Sequence, residues 1–358
     1  MSTPFRVGIT ADFRQGIPGH LEPVLAEVFD PLPYLRYDYF DFSGQDERGK
    51  FVTTQDIASY DAILAFGVRF PAAAFAAASR VAVLSRWGVG YDMVDVPACT
   101  AGDVLLAITT DAVRRPVAEA IVTLLHALSM RLFDKDRLVR SGRWSERAAI
   151  PSVGLRGKTL GSLGIGNIGS EMFRLLAPFG LARLLAFDPY ARPERAAELG
   201  VELVDLPTLF RQADFVTINC PLTDETRGLV NAELIGLMKP SAYLVNTARG
   251  PIVNQDDLVA ALQARRIAGA GLDVFAVEPL PADHPLTRLE NVILTPHALA
   301  WNDELYHDTG FDACQNILTV LRGEIPAYTV NRAVTNQSGF QTKLALLRER
   351  WHAIRHDR

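Results

Sequence analysis

Residues 158–188 read KTLGSLGIGNIGSEMFRLLAPFGLARLLAFD. An apolar run (158–165) leads into Gly164-Ile165-Gly166-Asn167-Ile168-Gly169, a helical stretch follows (169–180), and a second apolar run (183–188) ends on Asp188. A bare GxGxxG is common in turns. Between a strand and a helix, with an acid closing the next strand, it is the context of a dinucleotide-binding turn. Gly164 permits the tight turn, Gly166 removes a side chain where a pyrophosphate approaches, and Gly169 lets the helix lie close to the strand. The pyrophosphate is then received by N–H groups at the helix N-terminus, including those of Asn167 and Ile168. Asp188, 19 residues after Gly169, is placed to accept hydrogen bonds from the adenosine ribose hydroxyls. Its charge opposes a 2′-phosphate, which predicts NAD(H) over NADP(H).

The same alternation extends in both directions. Upstream, RVGIT (6–10), DAILAF (61–66), VAVLS (81–85) and LLAIT (105–109) read as buried strands, with PAAAFAAASR (71–80) as a helix between two of them. Downstream, FVTINC (215–220), AYLVNT (242–247), GAGLDVF (269–275) and VILTPH (292–297) continue the series. In NQDDLVAALQARR (254–266), Asp256 and Asp257 fall in a first helical turn and Arg265 and Arg266 in a last one, as the helix dipole favours. Strand–helix–strand alternation implies parallel sheets with right-handed crossovers. Two long helical patterns, 116–136 and about 302–322, separate the strand series and mark where the chain crosses between domains. The expected fold is therefore α/β, with two Rossmann-like or flavodoxin-like parallel-sheet domains.

Composition bounds the possible functions. The chain has 358 residues, 49% hydrophobic and 22% charged, room for two cores and no sign of disorder. A net charge of −5 speaks against a nucleic-acid or membrane-surface binder. Three scattered cysteines (Cys99, Cys220, Cys314) form no CxxC pair and no metal-ligand spacing, which reads as reduced thiols in a cytoplasmic protein without a metal. No signal sequence or membrane span is expected. The segment 331–358 stands apart, with six Lys/Arg against two acids and Leu344, Leu347, Trp351 and Ile354 at helical spacing. It reads as a basic helix docked on its own protein or on a sister subunit.

Three strands of the downstream series end in groups suited to hydride chemistry on a carbonyl. NTARG delivers Arg249, LDVFAVEP delivers Glu278 and LTPH delivers His297. Reduction of a carbonyl needs a proton donor for the nascent alkoxide, a cation for its oxygen and an anchor for the rest of the substrate. In an open parallel sheet such groups meet at the carboxyl ends of the strands. The remaining histidines, His20, His126, His284, His307, His352 and His356, read as structural.

Read together, GVGYD (88–92), VAE (117–119), LGIGNIG (163–169), PLTDET (221–226), MKPSAYLVNTARG (238–250), GLDVFAVEP (271–279) and LTPH (294–297) resemble the D-isomer-specific 2-hydroxyacid dehydrogenase family, over about residues 50–325. The resemblance implies an NAD-dependent oxidoreductase that interconverts a 2-oxo acid and a D-2-hydroxy acid. It assigns His297 as general acid or base, Glu278 as its partner, and Arg249 as the anchor of a small anionic substrate, helped by the backbone N–H groups of Val89 and Gly90. Asp273 is expected to hold the nicotinamide carboxamide, and Asn219, Cys220, Pro221 and Thr247 complete the cofactor-binding set. The implied domains are a discontinuous substrate domain (1–111 and 300–330), an inserted NAD-binding domain (112–299) and the basic extension (331–358). A homodimer through the NAD-binding domains, around 116–150, is also implied. A dehydrogenase of another small anion such as phosphite, or a non-catalytic NADH-sensing protein, are the alternative readings.

The sequence departs from the family pattern at Met93, at Arg114 and Arg115, and at Leu299 and Trp301. Two hypotheses follow. Arg114 or Arg115 faces the cleft and binds a second anionic group of the substrate, or else it turns to solvent or to the cofactor domain. Trp301 forms a wall for the substrate's C3 side.

Overall fold

The computed structural model describes residues 3–76 and 80–356, the side chains of 355 and 356 excepted. The chain divides into two compact units, one made of Met1–Val113 and Asn302–Arg358, the other of Arg114–Trp301.

The first unit is built on strands β1 (Phe5–Thr10), β2 (Leu35–Phe40), β5 (Ala62–Ala65), β6 (Val83–Arg86) and β7 (Leu105–Ala107), all parallel, in the order β2-β1-β5-β6-β7. A short antiparallel hairpin, β3 (Gly44–Asp46) and β4 (Gly49–Phe51), stands outside this sheet. Central strands such as Ala62–Ala65 are buried at every position, as a sheet covered on both faces requires. One face is covered by the helix Asp303–Leu321, whose Ala313 carbonyl accepts the buried Ser85 hydroxyl at 2.9 Å. The helix Ser338–His356 belongs to the same unit. Lys343 Nζ donates to the carbonyls of Val81, Gly102 and Asp103 at 2.9–3.0 Å, and burial pulls its pKa down. Arg350 reaches the buried Asp61 carboxylate at 2.8 Å.

The second unit carries β8 (Thr159–Leu163), β9 (Arg183–Phe187), β10 (Glu202–Leu203), β11 (Phe215–Ile218), β12 (Tyr243–Asn246), β13 (Gly269–Leu272) and β14 (Val292–Leu294). They form one parallel sheet in the order β10-β9-β8-β11-β12-β13-β14, which reverses direction between β8 and β11. One face packs on Ile121, Leu124, Phe173 and Leu176, the other on Leu209, Ile235, Leu258 and Leu262. This is the doubly wound arrangement, whose ligand crevice opens at the switch point.

The structure corrects three local expectations. The Ala-rich stretch 71–80 forms only a 3-10 turn at Ala72–Ala74, and residues 77–79 lie outside the described residues. A ten-residue stretch is too short to be helical on propensity alone. The long pattern 116–136 is two helices, Thr110–Ser129 and Leu132–Arg140, broken at Arg131, which adopts φ +51°. Arg265 and Arg266 fall beyond their helix, which ends at Gln263; Arg266 donates instead to the Met238 carbonyl at 2.8 Å, beside the neighbouring helix Ala232–Leu237. Two edge strands were not among the expected ones: β2, where polar and apolar side chains alternate, beside β1, and the two-residue β10 beside β9.

Candidate active site

Register explains why distant residues share one edge of the second sheet. Phe187, Leu163, Ile218, Asn246, Leu272 and Leu294 pair in a continuous row across β9, β8, β11, β12, β13 and β14. The residues one step beyond are Asp188, Gly164, Asn219, Thr247, Asp273 and Thr295. Five of these six were expected in the site; Thr295 was not.

At the switch point, Gly164 adopts φ +98°, and a Cβ there would lie 2.9 Å from the Asn219 carbonyl and the Cys220 nitrogen, so only glycine lets the two segments approach. Asp188 fixes the turn from the other side: Oδ2 accepts the Ile165 N–H and Oδ1 the Tyr190 N–H, both at 3.0 Å. Asn219 faces inward, donating from Nδ2 to Ser162 Oγ at 2.8 Å and Thr217 Oγ1 at 3.0 Å. Its Oδ1 is buried without a hydrogen-bond partner. Burial pushes the neighbouring Cys220 thiol up to about 12, which keeps it a neutral wall. The exposed Pro221 lends its carbonyl to the Thr226 hydroxyl at 2.7 Å. Gly166, at the N-cap of the helix Asn167–Leu176, is the opposite case, since a Cβ there would meet no protein atom within 4 Å. The opening beside Gly166, the N-terminal N–H groups and the fixed Asp188 carboxylate fit a dinucleotide.

Further along the same edge, Asn246 is buried and clasps the turn that presents Arg249: its Oδ1 accepts the Ala248 N–H and its Nδ2 donates to the Arg249 carbonyl, both at 3.0 Å. Arg249 Nη1 donates to the Ala248 carbonyl at 2.7 Å. Gly250 lets this turn rest directly on the next one, because a Cβ would lie 1.9 Å from the Phe275 carbonyl carbon and 2.0 Å from its oxygen. In that second turn the Phe275 N–H donates to Glu278 Oε1 at 2.9 Å, and Glu278 Oε2 lies 2.7 Å from His297 Nδ1. Burial alone would raise the Glu278 carboxyl. The hydrogen bond and charge of His297, the Phe275 N–H and the Arg249 charge outweigh it and hold the pKa below the ordinary glutamate value.

His297 itself sits at φ +54°, a strained backbone for a non-glycine residue. Asp273 secures it. Its buried carboxylate accepts at Oδ1 from the Thr295 hydroxyl at 2.6 Å and from the Ala298 and Leu299 N–H groups at 3.2 Å, gripping the chain on both sides of His297. Asp273 was expected in the site, but this grip was not foreseen. Asn246 was missed altogether, although a polar residue closing the apolar run YLVN was a signal.

In the first unit, the loop after β6 is stitched by the Thr109 hydroxyl accepting the Gly88 N–H at 2.9 Å and by Arg86 Nε donating to the Gly90 carbonyl at 2.8 Å. Val89 and Gly90 are half-buried in this loop. Arg115 is engaged with its own helix and its neighbour, reaching Glu119 at 2.6 Å and Glu171 at 3.3 Å. It belongs to the second unit, where these two carboxylates are its partners. The half-buried Trp301 follows His297 in a turn closed by its N–H on the Ala298 carbonyl at 3.0 Å.

Comparison with known proteins decides the family. A glyoxylate reductase of Korarchaeum cryptofilum is 38% identical over 272 residues, spanning 75% of this chain and 82% of the relative. The chain belongs to the D-isomer specific 2-hydroxyacid dehydrogenase family. The family's NAD-binding domain model matches residues 122–298. A D-3-phosphoglycerate dehydrogenase of Synechocystis is also 38% identical, over 76% of this chain but 48% of its own length. Among solved structures, a D-lactate dehydrogenase of Aquifex aeolicus complexed with NAD and lactic acid superposes with a TM-score of 0.77 at 25% identity, over 91% of this chain and 99% of that one. The protein is thus an NAD-dependent D-2-hydroxyacid dehydrogenase. Among the described residues, no single helix is long and apolar enough to cross a membrane.

Proposed function

We propose that the enzyme interconverts a small 2-oxo acid and its D-2-hydroxy acid, with His297 moving the proton, Glu278 as its partner and Arg249 anchoring the substrate carboxylate. NAD(H) supplies or accepts the hydride at the substrate's C2. In the reducing direction, His297 gives its Nε2 proton to the carbonyl oxygen, and Glu278 at Nδ1 steadies the charged ring beforehand. The observation that carries this reading is the 2.7 Å contact between His297 Nδ1 and Glu278 Oε2, which fixes the ring with its other nitrogen directed away from the carboxylate. Arg249 supplies a permanent planar cation for the carboxylate and the polarised oxygen. The N–H groups of Val89 and Gly90 are its assigned helpers, which makes the first unit the substrate domain. Asp273, gripping the His297 segment with Oδ1, is assigned the nicotinamide carboxamide through its other oxygen.

With Arg115 paired to two carboxylates, we assign it no second anionic group of the substrate. A singly charged 2-oxo acid such as glyoxylate, the substrate named for the Korarchaeum relative, heads the panel, with Trp301 as a wall on its C3 side. Exposed Leu132, Phe133, Val139 and Trp144 on the cofactor-binding unit support a homodimer through that unit. The free thiols support a reducing compartment such as the cytoplasm.

The test is NADH oxidation across glyoxylate, hydroxypyruvate, pyruvate and phosphorylated or dicarboxylic 2-oxo acids, with product configuration assigned. His297→Ala is expected to lower kcat by roughly 10²- to 10⁴-fold while leaving NADH affinity nearly intact. Wild-type turnover in that variant would remove His297 from the mechanism.

A further inference from the structure

The turn that carries Glu278 has a second fastening, and its hydrogen-bond count does not close. Gln255 opens the helix Gln255–Gln263 beside the cap residue Asn254. Its Oε1 accepts the Ala276 N–H at 2.9 Å, and its Nε2 lies 3.0 Å from His284 Nε2. The other ring nitrogen of His284 accepts the Leu286 N–H at 3.2 Å, capping the turn Pro285–Arg288. A neutral imidazole has one donor and one acceptor nitrogen. With Nδ1 accepting, the proton sits on Nε2, where it faces the amide NH₂ of Gln255, a group that also only donates.

Neither rearrangement repairs this. Turning the amide over gives the ring an acceptor and takes it from Ala276. Moving the ring proton to Nδ1 sets it against the Leu286 N–H. Three donors, from Ala276, Leu286 and the ring, share two acceptors. Gln255, Ala276 and His284 line an open hollow of about 500 Å³ together with Val277 and Arg227, so the donor left over is within reach of solvent and its cost is small.

We propose that Gln255 is a positioning residue for Glu278, and that its one amide oxygen is contested between the Ala276 N–H and the Nε2–H of His284. Ala276 directly follows Phe275, whose N–H holds Glu278 Oε1 at 2.9 Å. When the oxygen is on Ala276 the turn is held; when His284 takes it, the turn is loosened. This inference rests on the reading of Glu278 as the partner of His297.

Steady-state NADH oxidation with glyoxylate, measured across pH for Gln255→Leu, Gln255→Glu and His284→Asn with His297→Ala beside them, tests it. Gln255→Leu removes the oxygen. Its kcat is expected to fall roughly three- to tenfold with KM for NADH unmoved. The acidic limb of its kcat/KM profile should shift to higher pH, because a loose turn withdraws the Phe275 N–H from Glu278. Gln255→Glu supplies an oxygen for each donor and should keep kcat at or above wild type. His284→Asn retains an acceptor for Leu286, removes the competing Nε2–H, and should also stay at or above wild type.

An unshifted profile with unchanged kcat in Gln255→Leu overturns the proposal. So does a fall in Gln255→Leu and His284→Asn together without a pH shift, the mark of a merely structural network. If Gln255→Leu does not fold, loss of kcat in both other variants overturns it instead. An inactive His297→Ala beside an unaffected Gln255→Leu removes only the positioning role. An active His297→Ala removes the reading of the site on which that role rests.

Discussion

The turn after β8 and the turn after β13 lie on the same edge of one sheet and are built on opposite principles. At Gly164–Gly169 the decisive feature is side chains left out, one to let two segments touch and one to keep a space open for the cofactor. At Asp273–His297 it is side chains put in, with carboxylates that hold the turns through one oxygen or lean on a functional partner through the other. A site made of omissions tolerates motion around it, whereas one made of interlocked acceptors transmits any displacement to the reacting groups. Substitutions that add the same methyl group to each should therefore behave differently.

The largest effect is expected from Gly250→Ala, in the turn after β12 that rests on the turn after β13. The new Cβ would overlap the Phe275 backbone carbonyl, which is not a flexible side chain and cannot step aside. The Arg249 and Glu278 turns must separate, at a cost of about 3 kcal/mol in stability. A displacement near 1 Å of the anchoring groups lowers kcat about 100-fold. Thermal denaturation and NADH oxidation measure both. A variant with wild-type kcat would mean the two turns are not coupled.

Gly166→Ala comes next and should reverse the pattern. With no protein atom within 4 Å of the added carbon, stability should change by less than about 1 kcal/mol. KM for NADH should rise roughly tenfold or more, because the methyl occupies the approach of the pyrophosphate to the backbone. Equal NADH affinity in the variant, by fluorescence titration, would break the comparison at its other end.

The two turns also differed in how far they could be read from the sequence. The glycine turn was legible because its constraint is local: strand, glycine spacing, helix and acid follow within one stretch. Arg249, Glu278 and His297 were legible through motifs. What holds them was not, because Asp273 acts on residues 22 to 26 positions away and Asn246 on a turn whose shape depends on Gly250 meeting Phe275. The partners of Arg115 were half hidden for a related reason. Helical spacing puts it beside Glu119, but only the fold brings Glu171 to its other side. Edge strands and the break at Arg131 were hidden where tertiary packing overrides propensity.

The smallest effect probes the electrostatics of the second turn. The Glu278 carboxyl is held below its ordinary pKa by His297, the Phe275 N–H and Arg249 against the opposing effect of burial. A group with a lowered folded-state pKa contributes stability that is complete above its unfolded pKa and is lost as pH falls through the folded value. Wild type should therefore exceed Glu278→Gln in stability at neutral pH, and the difference should shrink below the ordinary glutamate range and vanish once Glu278 is protonated in both states. Because Glu278 and His297 are more than a third exposed, solvent screens the pair and the difference is small. Denaturant melts of both proteins from neutral to strongly acidic pH give the curve. Gly166→Ala removes no titratable group and adds a carbon that meets no protein atom within 4 Å, so it should follow wild type in parallel across the whole range. A pH-independent gap between wild type and Glu278→Gln would show that the contacts of Glu278 act through shape and not through charge.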